Sequence, residues 1–472
     1  MTAFRWNEYQ LCEALGLPAP TLGAEIHFDR IVTDTRSLRG GDLFVALVGE
    51  RFDGHAFLDA AADQGALGAV VSRDLATPHP RLRLFSVPDS LTALGQLAHY
   101  RRMAHPGKVV GVTGSSGKTS VKELLTASLG SRYPVHATHG NENNRVGVPL
   151  TLLGAPEDAA FIVVEMGTSE LGEILELTRI AEPDAAIVTT VSEAHVEGLG
   201  SLEGVLTEKL DLLRGARVGA PLLVGDDPAL LATAARAIRP EVHVAGLSDR
   251  ADPPFRAALG RLDPEGHYEV EFRGARVRAP LPGRHGAQNL VLALAMAELL
   301  GVTPEGAIPA ASAVGVGKFR GEWRSIGSIR ALLDCYNANP QSMRGALHLL
   351  VEISTPGPRV AVLGSMLELG ARSEVLHREV LREALELPID LILATGEFAE
   401  AGGALEHRAS VQGRLLLAED PVAGYPLLRR HLTGGETLLL KGSRGVAMER
   451  LIPLLEGDFA TGRGRGASGG AG

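Results

Sequence analysis

From Lys108 to Leu129 the chain reads KVVGVTGSSGKTSVKELLTASL: an apolar strand-like run, a glycine-rich turn and an amphipathic helical segment. Glycines in such a turn let successive backbone N–H groups converge on phosphate oxygens at a helix N-terminus. Gly114, Ser115, Ser116, Gly117, Lys118, Thr119 and Ser120 are therefore expected to cradle a nucleoside triphosphate. Lys118 would reach the β/γ-phosphates and the Thr119 hydroxyl would ligate Mg2+. The match is to the shorter TGxxGKT form, because Val112 stands where GxxxxGK[ST] has its first glycine. A second metal ligand must come from a neighbouring strand end, and the run Phe161-Ile-Val-Val-Glu165 offers Glu165 there, against the plainer reading of a solvated carboxylate. Another apolar run, AAIVTTV, leads to His195 on the same expected rim. A lone histidine usually has a structural role, and the place beyond a strand C-terminus is what brings His195 into the functional set. Lys209, in SLEGVLTEKLDLL, reads on its own as a surface helix lysine beside Glu208 and Asp211.

These groups need a scaffold, and the chain supplies an alternation of strands and helices. Residues 1–105 carry short strand-like runs (RIVTDTR, DLFVALVG, GALGAVVSR) with a helix near His55 to Gln64, which describes a small α/β domain. Asp89 and Ser90 cap a helix that ends near His105-Pro106-Gly107, the first expected boundary. Residues 106–320 continue with KVVGVTG, FIVVEMG, AAIVTTV, APLLVGDD and EVHVAG, separated by helix-period segments, as βαβ units around a buried parallel sheet require. A hairpin-like insert, YEVEFRGARVRAPL, precedes a helix from about His285 to Leu300. Alternation restarts over 321–458 (IRALLDCY, RVAVLGS, DLILATG, RLLLAE, ETLLLKGS), giving a third, Rossmann-like α/β domain. Residues 459–472 are glycine-rich and are expected to form a disordered tail.

Length and composition agree with this reading. The 472 residues suffice for about three domains at roughly 150 residues each. With 46 Lys and Arg against 56 Asp and Glu the net charge is −10, which argues against a nucleic-acid grip or a polybasic membrane surface. Only six of the basic residues are Lys, so each survivor is a candidate for a place that needs a compact or nucleophilic amine. The two cysteines, Cys12 and Cys335, support neither a disulfide framework nor a CxxC metal site. The N-terminal segment shows no export signal, and the most apolar run, from Leu290, is broken by Glu298, so a cytoplasmic location without a membrane span is expected.

Taken in order, the motifs TDTRSLRGGDLFVALVGERFDGHAF, TGSSGKTSVKELL, GNENNRVGVPLTLL, VVEMGTSELGEI, AHVEGLGSLEGVLTEKLDLL, PGRHGAQN, LDCYNANPQSMRGAL, SEVLHREV and LLLKGSRGVAMERL resemble those of the Mur ligases. The pairing of YNANP with KGSR is similar to the branch that joins D-alanyl-D-alanine to UDP-N-acetylmuramoyl-tripeptide. The resemblance runs through all three expected domains and implies amide synthesis driven by ATP, through an acyl phosphate, to give the UDP-linked pentapeptide of peptidoglycan. It implies that Thr119 and Glu165 hold one Mg2+ and that His195 helps hold a second. It also implies that Lys209 carries a CO2-derived carbamate beside the metals. Asn289, Arg320, Asp334 and Asn337 match ATP contacts. Thr33, Asp34 and Arg36 match the UDP-binding segment, with 1–105 as the UDP-substrate domain. Asn141, Asn143 and Asn144 match contacts to the muramoyl peptide and phosphates, while His377, Lys441, Ser443 and Arg444 are expected to meet the dipeptide in the third domain. A monomer is expected.

The chain departs from the resemblance at four positions, one of them Leu333, which replaces an Asp ahead of the retained Asp334. Gly286 stands where the adenine motif commonly has Asn, Cys335 follows Asp334 where Ser or Thr is usual, and Ser365 replaces Asp in the G-D-M-x-E segment. The chief alternative is the preceding ligase of the family, which adds diaminopimelate or L-lysine to the UDP-linked dipeptide; its D-N-P-R motif is absent from the third domain, where ATGEFAEAG stands. A kinase or mechanical NTPase, turning ATP over without an amine, and an idle scaffold of the same fold are the alternatives outside the ligases.

Overall fold

A computed structural model of the chain describes residues 4–20, 26–49, 52–73, 79–315, 317–403, 405 and 413–460. Three parallel or mainly parallel sheets follow one another along the sequence, their inner strands apolar and buried on both faces and their edge strands less so. The first has four parallel strands in sequence order: Ile31–Val32, Leu43–Val45, Gly68–Val71 and Arg83–Ser86. The expected helix near His55 divides into a 3-10 turn, Gly54–Phe57, and a short helix, Leu58–Asp63, because Asp53 caps the turn through the His55 amide.

The helix Ser90–Ala104, capped by Asp89, carries the chain to the second sheet. Its last turn is tied down on arrival: Arg102 meets Asp184 at 2.5 Å and Arg101 donates to the Ala155 carbonyl at 2.9 Å. The second sheet has six parallel strands, ordered His243–Ala245, Leu222–Gly225, Ala185–Val188, Lys108–Thr113, Phe161–Glu165 and Val135–Ala137. Lys108–Thr113 thus lies where the strand order reverses, the place at which a crevice opens beyond the strand C-termini. Register sets Val112 beside Glu165 and Thr113 beside Val188, so the loops that follow all emerge on one rim.

The expected hairpin insert is a three-stranded antiparallel sheet: Ala258–Leu262, Tyr268–Phe272 and Ala275–Arg278. Its first strand, ALGRL, lies open on both faces and lacks the alternation that marks a half-buried strand. The helix Gly283–Leu299, buried nearly all round, packs against the helix Lys118–Gly130. The third sheet adds an antiparallel edge strand, Glu322–Ile326, to five parallel ones, in the order Ile329–Asp334, Thr437–Lys441, Arg359–Leu363, Leu391–Thr395 and Leu415–Ala418. Asp334 and Lys441 are register partners at its C-terminal rim, which faces that of the second sheet. The tail expected from residue 459 begins inside the helix Leu451–Phe459, and residues 461–472 lie outside the described residues.

Candidate active site

The P-loop is held open by two close approaches. Gly114 (φ +146°) and Gly117 (φ +82°) adopt conformations that favour glycine. A Cβ on Gly114 would stand 2.0 Å from Thr189 Oγ1, and one on Gly117 would stand 2.4 Å from Asn289 Oδ1. Ser115 donates its amide to the Thr190 carbonyl at 2.8 Å, which ties the loop to the neighbouring strand end. The N-terminus of the helix Lys118–Gly130 has no side-chain cap, so its amides are available to an anion. Lys118 folds back on the loop, Nζ donating to the Gly114 carbonyl at 2.8 Å. Burial pushes this amine below its ordinary value, opposed by the nearby charge of Glu165.

Glu165 closes its strand at 1% exposure. Its Oε1 accepts from Thr119 Oγ1 at 3.2 Å and from Asn143 Nδ2 at 2.8 Å, while Oε2 is buried with no hydrogen-bond partner among the described residues. An orphaned carboxylate oxygen beside a threonine hydroxyl is a hard-oxygen donor set that fits Mg2+. No group of three or more His, Cys, Asp and Glu side chains forms a metal cage among the described residues. That suits an ion held by one carboxylate, a hydroxyl, phosphates and waters. Asn144 turns back on its own backbone, where its Oδ1 accepts from the amides of Val146 and Gly147 just before and at the start of the helix Gly147–Leu153. Asn141 lies in the cleft wall beside Asn143.

His195 stands in the left-handed region (φ +56°) before the short helix Val196–Leu199, and its Nδ1 abuts Glu368 Oε2 of the third sheet's loops. Around this contact Glu197 donates its amide to the Glu368 carbonyl at 3.2 Å and Arg372 pairs with Glu193 at 2.7 Å. Lys209 is not the surface lysine of the plainer reading. The helix Leu202–Gly215 buries it completely, and Nζ has no hydrogen-bond partner among the described residues. Glu208 faces the amides of Gly172 and Ile174, both at 2.7 Å, and Asp211 pairs with Arg214, so neither hydrogen-bonds the amine, although the charges of Glu208 and Glu173 favour its protonated form. Burial, then the charge of Lys118, drives the Lys209 amine well below its ordinary value.

From the third sheet, Lys441 Nζ meets Asp334 Oδ2 at 2.8 Å and donates to the Asn337 carbonyl at 2.9 Å, while Arg320 stacks on Tyr336 at 3.6 Å. A cleft of about 560 Å3 unites these groups. Ser115 to Ser120, Asn141, Asn143, Asn144, Glu165, His195, Asn289, Arg320, Asp334, Asn337 and Lys441 all line it.

The remaining candidates lie elsewhere. Gly114 and Lys209 sit behind the wall. Thr33, Asp34 and Arg36 occupy the rim of the first sheet, with Asp34 capping the turn Thr35–Ser37 and pairing with Arg36 at 2.6 Å. Arg444 pairs with Glu449, and His377 and Ser443 are buried behind the turn that carries Glu368. Gly286 has no room for a side chain on this backbone, since a Cβ would stand 2.1 Å from the Leu281 carbonyl oxygen. Ser365 Oγ accepts from the Glu397 amide at 3.0 Å, an acceptor role that a neutral hydroxyl fills in a buried place. From sequence alone Glu368 takes no role, Glu208 only a place beside Lys209, and Lys122 only a place among the six lysines. Lys122 is a second fully buried amine, spent on the carbonyls of Thr138 (2.8 Å) and Gly140 (3.2 Å) just before Asn141.

Three family models match the chain: the Mur ligase family catalytic domain over residues 25–102, the Mur ligase middle domain over 112–297, and the Mur ligase glutamate ligase domain over 320–444. The UDP-N-acetylmuramoyl-tripeptide--D-alanyl-D-alanine ligase of Escherichia coli is 35% identical over 92% of this chain and 95% of its own length. The ligase of the same name from Bacillus subtilis is 34% identical over 89% and 92%. Among solved structures, MurF from Acinetobacter baumannii superposes with a TM-score of 0.84 at 31% identity, covering 97% of this chain and all of that one. MurF from Thermotoga maritima in complex with ADP gives 0.78 at 29% identity, covering 91% and 97%.

Proposed function

The chain belongs to the Mur ligase family, and from that premise we propose that it joins D-alanyl-D-alanine to UDP-N-acetylmuramoyl-tripeptide at the expense of ATP. The observation that carries this reading is one cleft in which the P-loop, the unpartnered oxygen of Glu165 and the rim residues Arg320 and Asp334 converge. ATP would lie with its phosphates on the amides of residues 115–120, its base near Asn289 and its ribose near Asp334, with Asn337 and Arg320 completing the contacts from the third sheet. Thr119 and Glu165 would hold one Mg2+, and His195, with a carboxylated Lys209, a second. Ions bound there would screen charge on the phosphates.

A carboxylate is a poor acyl donor because oxide is a poor leaving group. Attack of the tripeptide carboxylate on the γ-phosphorus forms a C–O–P acyl phosphate and releases ADP. The dipeptide amine then attacks the acyl carbon, forming the amide while inorganic phosphate leaves and the amine's proton passes to solvent. Lys118 serves the first step by neutralising charge on the transferred phosphoryl group. Lys209 suits carbamate formation because its amine is held toward the neutral form: it adds CO2 and sheds one proton, turning a buried cation site into an anionic ligand. Thr33, Asp34 and Arg36 would receive the UDP end, Asn141, Asn143 and Asn144 the peptide and phosphates, and Lys441, Ser443 and Arg444 the dipeptide region, whereas His377, fully buried with both ring nitrogens engaged by the backbone, does not reach it. All these residues come from one chain, so we take the monomer as the working unit. No described helix is long and apolar enough to cross a membrane. Use of ATP and a UDP-linked substrate supports a cytoplasmic place.

Phosphate release from ATP and Mg2+ with UDP-N-acetylmuramoyl-tripeptide, compared across D-alanyl-D-alanine, D-alanyl-D-lactate, diaminopimelate, L-lysine and no acceptor, tests the proposal. Turnover confined to the D-alanyl acceptors, with the matching gain in product mass, is expected. Turnover with a free diamino acid on the dipeptide precursor would move the chain to the preceding step, and turnover indifferent to amine would remove it from the reaction.

A further inference from the structure

His377, in the helix Ser373–Glu386, is fully buried and uses both ring nitrogens. Nε2 accepts from the Met366 amide at 2.9 Å. An amide can only donate, so Nε2 carries no proton and the proton of the neutral ring sits on Nδ1, which donates to the Ser373 carbonyl at 2.8 Å. Phe398 packs its ring against the imidazole, with centroids 4.5 Å apart. Met366 belongs to a turn that is pinned on its inner side by two further bonds: the Leu367 amide donates to Ser443 Oγ at 3.0 Å and the Ser443 amide to the Ser365 carbonyl at 3.1 Å. On its outer side Glu368, at φ +65°, is left facing the second sheet, where its carbonyl accepts from Glu197 and its carboxylate abuts His195.

We infer that His377 is a positioning residue: from behind, it shapes the 365–368 turn of the third domain so that Glu368 meets the His195 loop and closes the cleft over the P-loop. The arrangement has a reason. A left-handed non-glycine residue persists only where its surroundings over-determine it, and at Glu368 they do so through the amides of Met366 and Leu367. A ring nitrogen supplies a rigid acceptor at a fixed depth, which a flexible side chain would not.

The test compares His377→Gln, His377→Asn and His377→Leu in the full-length chain. Gln sets an amide oxygen near the Nε2 position and still accepts from Met366; Asn reaches only as far as Nδ1, and Leu accepts nothing. Its activity arm rests on the ligase reading above. There Gln is expected to hold kcat within about threefold, and Asn and Leu to lower it about 10- to 100-fold, as loss of a supporting shell does, with KM for ATP little changed. In a Glu368→Ala background the Asn substitution is expected to add less than about a twofold loss, because its route is already cut. Losses that multiply, or Gln no better than Leu, would overturn the inference. Amide hydrogen exchange without substrates separates the two readings: Met366, Leu367 and Glu197 are expected to exchange faster in Asn but not in Gln. Parent-like exchange in Asn overturns the inference, whereas expected exchange in a parent chain that forms no amide bond overturns only the ligase reading. Should Asn and Leu fail to fold, Ser443→Ala, which removes the hydroxyl that anchors the Leu367 amide and meets the Ala338 carbonyl at 3.5 Å, must speed exchange at Leu367 and Glu197, or the inference falls.

Discussion

Two helices flanking the P-loop strand each bury a lysine completely, and they treat it in opposite ways. In the helix Lys118–Gly130, Lys122 meets two carbonyls and also Glu123 at 2.7 Å. In the helix Leu202–Gly215, Lys209 has no hydrogen-bond partner among the described residues, although Glu208 is next to it in sequence. The difference lies in what each helix packs against. The Lys122 amine fills a need of the 138–140 backbone, and so sets where Asn141 and Asn143 begin. Around Lys209 the backbone amides are already served by Glu208, and the amine is left without an acceptor. A buried polar group that is satisfied contributes to the fold; one that is orphaned costs stability and persists for another reason. Lys118, one turn before Lys122 on the same helix, takes a loop carbonyl that a phosphate can replace.

The sharpest way to break this comparison is at Lys118. Lys118→Ala is expected to lower turnover by about 10³-fold or more, because Lys118 is the cation that the loop's own residues 114–120 carry, while the thermal midpoint stays near that of the parent. Steady-state phosphate release, followed alongside thermal unfolding, checks both. Near-normal turnover would mean that the loop does not hold the transferred phosphate. A somewhat smaller loss, about 10²- to 10³-fold, is expected for Lys209→Arg, since a guanidinium stays charged and cannot become a carbamate. Lys209→Ala should recover part of its loss with acetate or formate, small carboxylates that stand in for the missing group. An Arg variant at full activity would exclude the carbamate.

How legible these roles are in sequence follows from how local their causes are. Lys118 and Thr119 are read from a contiguous motif whose geometry is dictated by its own glycines. Glu165 and His195 follow from the rule that loops beyond parallel strand ends share a rim, and the register of Val112 with Glu165 obeys it. The strand runs were likewise legible, being long and apolar, whereas Ala258–Leu262 was not, because exposure on both faces erases its pattern. Lys209 was ambiguous for a physical reason: whether an amphipathic helix exposes or buries a given position depends on its neighbours, here the 168–174 loop that captures Glu208. The contacts of Glu368 and His377 lay beyond reach. Such partners arise only when distant segments dock, as with Arg372 and Glu193, which are 179 positions apart yet paired.

The smallest effect is the most discriminating, because it asks the two lysines for opposite signs of stability. Lys122→Met should destabilise by about 1–3 kcal/mol, since it strips the donor from the buried carbonyl of Thr138 and from the more exposed one of Gly140. Lys209→Met removes an unpaired buried amine and keeps most of the volume, so it should stabilise by about 1 kcal/mol while abolishing turnover. Its margin must also depend on pH. Above the ordinary lysine value of 10.5 neither the folded nor the unfolded parent holds the proton, and burial of the amine carries no ionisation penalty. As pH falls below 10.5 the unfolded chain gains a proton that the folded chain refuses, so the parent loses stability until pH reaches the depressed folded value and stays level beneath it. The Met variant lacks that contribution. Denaturant unfolding of both variants in CO2-depleted buffer, at about pH 7 and again near the ordinary lysine value, should therefore show the Lys209→Met advantage shrinking as pH rises. If Lys209→Met were destabilised like Lys122→Met, or if its margin grew toward alkaline pH, the amine would have a folded-state partner, and the division between a structural and a functional buried lysine would not hold.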